Sequence, residues 1–238
     1  MLDWISLGIG TLVAGTLAAV TGFGGAAILL PLLVAIFGVR AAIPILTVAQ
    51  LIGNGSRVWF NRNDLDWRVV KWFALGSVPA AIAGSLLFAS APLSALTRLL
   101  GIFLIGIVAY RHIRKSARAM PLRGFAPLGA VASFLSALLG TAGPLMVPFF
   151  LAFGLTKGAF IGTEALAALL MHVVKMVVYG GTSLLSVNSV GVGLLMGVGL
   201  TAGSYVGTRI VSRVSERIFV LLVEATLVVA GLRFLVGG

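Results

Sequence analysis

Cysteine is absent from this chain, so disulfides, thiol catalysis and cysteine-based metal sites are excluded. Histidine occurs twice and acidic residues six times in 238 positions, too few and too scattered for a clustered acid–base or metal centre. No Gly-x-Ser-x-Gly, His-Glu-x-x-His or Walker sequence is present, so hydrolase, zinc-protease and nucleotide chemistry have no motif to rest on. The reading is not an enzyme, with no cofactor and no metal. Long polar segments are also missing. The longest is RHIRKSARAMPLR, Arg111 to Arg123, and no soluble domain is expected. The N-terminal MLDWISLG carries no basic residue, which argues against a cleaved signal peptide.

Apolar sequence fills the remaining space. Hydrophobic residues make up 60% of the chain and charged residues 10%, and the mean hydropathy is +1.15. A soluble chain of this length could not hide that much apolar surface. The reading is a polytopic protein of the bacterial cytoplasmic membrane, with lipid as its surroundings. The formal charge is +11, but the basic residues lie at the ends of apolar segments rather than on one soluble surface, so nucleic acid is not the partner.

The two halves resemble each other. Ser136 to Leu155 echoes Ala18 to Val39, with Gly22-x-x-Gly25 matching Gly140-x-x-Gly143 at an offset of 118 (140 − 22). Pro31 matches Pro148 at 117, the AGS at Ala83 matches the AGS at Ala202 at 119, and Arg98 matches Arg217 at 119. Such a near-constant offset marks a repeat. The expected organisation is a first membrane repeat over 1–115, a basic cytoplasmic linker over 116–124 and a second repeat over 125–238. Each repeat has five apolar segments, roughly 4–20, 25–38, 41–60, 69–89 and 94–112, then 125–139, 143–154, 158–179, 189–207 and 217–236. They are expected to be helices, since open strands cannot satisfy their backbone in lipid. The first two of each repeat are short, and stand as either tilted spans or half-spans that enter and return.

Basic residues orient the segments. Arg111, Arg114, Lys115, Arg118 and Arg123 place the central loop in the cytoplasm. Parity then puts Arg62, Arg68, Lys71, Lys157, Arg209 and Arg213 on the same face and both termini outside. Trp59, Trp67 and Trp72 fall near the inner boundary, as an aromatic belt would. An odd number of segments per repeat makes the two topologies inverted, a transporter signature. The fold class is therefore all-α, with two inverted-topology repeats each opening on a short broken or re-entrant helix pair.

The run TGFGGAAILLPLL, Thr21 to Leu33, interrupts the first apolar stretch. Its Gly22, Phe23, Gly24 and Gly25, with Gly140, Thr141, Ala142 and Gly143 in the second repeat, would form two tips. Each tip precedes a helix whose free N–H groups attract an anion. The competing reading is that these glycines only let helices pack closely.

The third segments carry polar faces. Thr47, Gln50, Asn54 and Arg57 recur at helical spacing, as do Glu164, His172, Lys175 and Tyr179. At offset 118, Asn54 corresponds to His172 and Arg57 to Lys175. Asn54 and His172 lie about 6 Å from their segment centres, and Arg57 and Lys175 about 10 Å, at 1.5 Å per residue. Gln50, Asn54, Arg57, His172 and Lys175 are candidate anion-binding residues. Their rival roles are interhelical hydrogen bonding for Gln50 and Asn54, snorkelling for Arg57 and Lys175, and a neutral imidazole bonded to a carbonyl for His172. Glu164 and His172 are the proton-coupling candidates, Glu164 having a helix-start residue as its alternative.

These features resemble the TauE/SafE family, the toluene-sulfonate uptake permeases, over essentially the whole chain. The likeness rests on TGFGGAAILLPLL and its echo GTAGPLMVP, on Gly162-Thr163, on Asp66 to Arg68, and on the AGS repeats and the arginines before each half's last segment. It implies transport of a small anion such as sulfite or an organosulfonate, and adds Thr163 to the binding residues. The chain departs from the pattern at Thr141-Ala142, where a fuller glycine run is usual, and at Glu164, where a small hydroxyl residue is common. The expected function is a secondary transporter working by alternating access, driven by a substrate gradient or by a coupling proton or cation. An anion channel of the same architecture is the alternative. Oligomeric state, including a homo-oligomer, is open.

Overall fold

Glycine and proline divide the apolar sequence into elements that a computed structural model describes over residues 2–21, 25–113, 120–210, 224–225, 228–229 and 231–236. Every regular element among these residues is helical. Helix α1 is Leu2–Thr21 and α2 is Gly25–Phe60. Gly38, at φ 74° and ψ 162°, interrupts α2, a conformation that glycine reaches without a Cβ penalty. The interruption separates the expected second and third segments. The piece before it is about 20 Å long at 1.5 Å per residue, too short alone for a hydrocarbon core of about 30 Å.

The chain continues through α3 (Trp67–Ser90), α4 (Leu93–Ile113), a 3-10 turn (Leu122–Gly124), α5 (Phe125–Leu139), α6 (Gly143–Ala152), α7 (Lys157–Gly181) and α8 (Val187–Ile210). Residues 231–236 are again helical. Among the described residues six helices are long and apolar enough to cross a membrane, while α6, with 10 residues, is short. Ten segments were expected. Gly22, Phe23 and Gly24, residues 116–119 of the linker, and half of the expected segment 217–236 lie outside the described residues.

Helix packing crosses between the halves. Helix α1 lies against α8 and α5 against α3, while α2 contacts both α7 and α8, and α7 contacts α3. Small residues bring these helices close, as they do where lipid provides no hydrophobic drive for association. A Cβ added to Gly84 would lie 2.8 Å from the Phe134 carbonyl oxygen. One added to Gly203 would lie 2.8 Å from Thr16 N and 3.0 Å from Gly15 Cα. These are the glycines of the two AGS repeats. A cluster of aromatics locks α6 to its neighbours: Phe150 meets Phe125 at 5.1 Å and Phe73 at 6.2 Å between ring centroids, both edge-on.

Aromatic and basic residues collect at one end of the bundle. Arg62 lies over Trp59 at 4.7 Å and Arg123 over Trp72 at 5.9 Å. Asp66 caps α3 by accepting from Arg68 N at 3.0 Å and Val69 N at 3.4 Å, and its own N–H donates to Thr163 Oγ1 at 2.9 Å. The loop after α2 is thereby fastened to α7. At the far end of α3, Arg40 donates to the carbonyls of Ala89 at 2.8 Å and Ala91 at 2.5 Å. This arginine, two residues past the Gly38 break, neutralises a helix C-terminus. The sequence reading passed over it, although it matches Lys157 at offset 117.

Candidate functional site

Where α2 and α6 begin, their first turns open on a shared cavity. Gly25 and Ala26 from α2 line it together with the Gly140–Gly143 turn that leads into α6. Gly140 has φ 83° and closes α5 in the left-handed region, which reverses the chain within the packed interior. Ala142 precedes α6 without supplying a side-chain cap, and a proline stands in the first turn. Pro144 has no N–H, and Leu145 N and Met146 N donate to the Ala142 carbonyl at 3.0 and 3.1 Å, which leaves the Gly143 N–H for a ligand or water. The expected tip of the second repeat is present at the cavity. Of the first tip only Gly25 is described.

One face of α2 and one of α7 supply the side chains. Gln50, Asn54, Arg57, Glu164 and His172 all line the cavity. The helical spacing that singled them out holds because each helix turns a polar stripe toward the other. Arg57 donates to Glu164 Oε2 at 3.3 Å and also to Asn54 Oδ1. Arg57 is 6% exposed and Glu164 2%; a charge pair this well covered is fixed by its mutual contact rather than by solvent. Glu164 is thus an interior residue, not a solvated helix start. Arg57 does not snorkel.

Lys175 does not snorkel either. It is fully buried, and its Nζ donates to the Ser136 carbonyl at 3.0 Å and the Ser136 hydroxyl at 3.2 Å. It stands behind the cavity wall, against a residue that lines it. Tyr179, one turn further, donates to the Ala137 carbonyl at 2.6 Å. Both hold the end of α5 in place. Thr163 is buried but bonds to Asp66 N and is not among the lining residues.

Two lining groups are left unsatisfied. Gln50 Nε2 and His172 Nδ1 are buried with no hydrogen-bond partner. A buried polar group without a partner costs about 1–3 kcal/mol, so a pair of them facing one cavity marks a place for a ligand. The carbonyl partner considered for His172 is not there. Gln50, beyond the Gly38 break, reaches back to the start of α2, its Nε2 3.3 Å from where a Cβ on Gly25 would stand. The cavity encloses about 400 Å³ of space between atoms, its open mouth and the solvent there included. Its polar groups are mainly donors: an amide N–H, a guanidinium and a helix start. Donors facing inward suit an anion. Among the described residues no group of three His, Cys, Asp or Glu side chains could hold a metal.

Sequence reasoning missed Ser136, Ala168 and Met171 in the lining. Ser136 begins the echo of the glycine motif and is polar within an apolar run, a signal that was available. Ala168 and Met171 carry no chemical mark; only their spacing from Glu164 and His172 places them on the same face.

The sulfite exporter TauE/SafE family model matches residues 7–234. The chain is 24% identical to a protein of Bacillus subtilis (strain 168) named probable membrane transporter protein YjnA, over 94% of this chain and 96% of that one. No solved structure matches. With a family match across nearly its whole length and six helices able to cross a bilayer, the chain belongs to the TauE/SafE family and is a multi-pass membrane transporter, not an enzyme.

Proposed function

We propose that the protein is a secondary transporter for a small oxyanion, sulfite or an organosulfonate, bound in the cavity between α2, α6 and α7. The observation that carries the reading is the pair of buried, unpartnered groups, Gln50 Nε2 and His172 Nδ1, facing the same space as two helix starts. An anion's oxygens would accept from Gln50, from the Gly143 N–H and from Arg57. The name of the family supports sulfur oxyanions as the substrate class.

Alternating access through two inverted repeats is part of this reading. Its support is the exchange of partners: α1 takes α8 from the other half, and α5 takes α3. A two-fold relation between repeats produces that crossing, with α2 and α7 meeting at its centre. Both termini and the 180–188 turn then face outside, and the end bearing Arg62, Arg68 and Arg123 faces the cytoplasm.

The test is a binding screen of purified protein against sulfite, thiosulfate, taurine, sulfoacetate and carboxylate controls. It is followed by counterflow in proteoliposomes with whichever anion binds. Saturable counterflow is expected. Failure of every anion to bind overturns the site. Binding with flux that never saturates and shows no counterflow replaces the transporter with a channel.

A further inference from the structure

Glu164 departs from the correspondence between the two halves. Arg57 matches Lys175 and Asn54 matches His172, but the positions 117 and 118 before Glu164 hold Thr47 and Leu46. One buried cation therefore has a carboxylate on it, at 3.3 Å. The other has only the neutral oxygens of Ser136. An anion entering the cavity toward Arg57 meets a negative charge already in place. Two anions on one guanidinium, shielded from water, repel strongly. Releasing Glu164 as a free carboxylate is equally unfavourable, because it is 2% exposed and, among the described residues, Arg57 is the cation paired with it.

Resting on the anion-site reading above, we propose that Glu164 is a built-in competitor for Arg57. The transported anion takes that guanidinium only when Glu164 binds one proton, so each anion is carried together with a proton. The carboxylate becomes a neutral acid and the anion replaces its charge on Arg57; for a monovalent anion the charge in the cavity is unchanged, and a dianion adds one negative charge.

Other charged groups stand on the elements around Glu164. From its own helix come His172 and Lys175; from α2 comes Arg57. The described residues that α5 and α6 present to the cavity are neutral. Helix α3 and the loop before it bring Asp64, Asp66, Arg68 and Lys71, all at the bundle end, with Asp66 and Arg68 paired at 2.8 Å. Of these, His172 is the one that could mimic the effect, since its protonation would also favour an anion.

Calorimetry on the full chain separates the two. The probes are thiosulfate and ethanesulfonate, whose charges are fixed from pH 5 to 8. Buffers of different ionisation enthalpy count the protons taken up with the anion. The wild type should take up one proton per anion where Glu164 is ionised, its affinity falling about tenfold per pH unit there. Glu164→Gln, which keeps an oxygen for Arg57, should bind both probes with no proton uptake and a flat profile. His172→Gln should keep the wild-type uptake. If Glu164→Gln does not purify, Glu164→Asp should keep the linkage and move its midpoint; an unmoved midpoint overturns the proposal. Binding by the wild type with no linked proton overturns this inference alone, as does uptake retained in Glu164→Gln and lost in His172→Gln. Failure of the wild type to bind either probe at any pH removes the anion site itself and this inference with it.

Discussion

Lys175 and Gly140 share one acceptor. The lysine Nζ donates to the Ser136 carbonyl at 3.0 Å, and the Gly140 N–H donates to the same oxygen at 2.9 Å. The lysine Nζ thus sits at the negative end of α5, one turn before the chain reverses into the cavity. The lysine closes a helix and, on the proposed reading, stands behind the anion site.

Lys175→Met separates these roles. A buried charge exchanged for an apolar chain of similar shape often costs little stability. The variant should therefore keep a melting temperature near that of the wild type while losing at least about tenfold in anion affinity, or about 1.4 kcal/mol. A large drop in melting temperature with unchanged affinity would leave the lysine as a helix cap alone.

Gly25 tests the first helix start. A Cβ there would stand 3.3 Å from Gln50 Nε2, 3.4 Å from Ala18 Cβ and 3.5 Å from Ala14 O. Gly25→Ala nearly fits, so the fold should survive while the Gln50 amide is pushed aside, with about a tenfold loss of affinity. Gly25→Leu should abolish binding. Normal binding by both variants would make the glycine a packing element.

The seams between helices can be tested as a pair. Gly84→Val and Gly203→Val each place atoms where a neighbour's backbone already stands. Overpacking of this kind costs about 1–3 kcal/mol, read as a lowered melting temperature of the purified protein. Comparable losses are expected from the two. A neutral change at either would mean that its seam has room to open.

Asp66 supplies a pH dependence outside the membrane-spanning segments. The bond from Arg68 holds its carboxyl below the usual carboxylate value, with the N–H groups of Arg68 and Val69 adding to the effect. A lowered folded pKa means that the contribution is fully present above the ordinary carboxylate range and is lost as pH falls through the lower folded value. Asp66→Ala removes an N-cap worth about 1 kcal/mol. It should lower the melting temperature at neutral pH and make little difference in strong acid. Equal losses at both would contradict the cap.

Topology is accessible because the chain has no cysteine. Single cysteines at Asn63 and Asn188, both exposed, should react from opposite sides of the membrane, Asn188 with impermeant external reagent. Labelling of both from one side would refute the inverted arrangement.

Local pattern told much of this story and long-range contact told the rest. The polar stripe of Gln50, Asn54 and Arg57 was legible because helical spacing is a property of neighbours in the chain. So was the division of the long apolar run, since Gly38 breaks α2 where the segment boundary was drawn. The partner of Arg57 was not legible: Glu164 lies 107 residues away, and no periodicity connects them. The setting of Thr163 was not legible for a related reason. Resemblance drew it toward the substrate, yet its hydroxyl is taken by Asp66 N from a distant loop. Burial likewise decided between snorkelling and interior roles for Arg57 and Lys175, and depth along a helix could not.

The crossing of α1 onto α8 bears on how the protein is made. Helix α1 leaves the ribosome well before α8, yet the surface that receives its Gly15 belongs to Val187–Ile210. Until then its close-packing glycine face has only lipid against it. Helix α3 waits in the same way for α5. Neither half can finish its packing alone, so a nascent chain arrested after α4 should be open to membrane quality control, and co-expressed halves should rescue each other only when both are present.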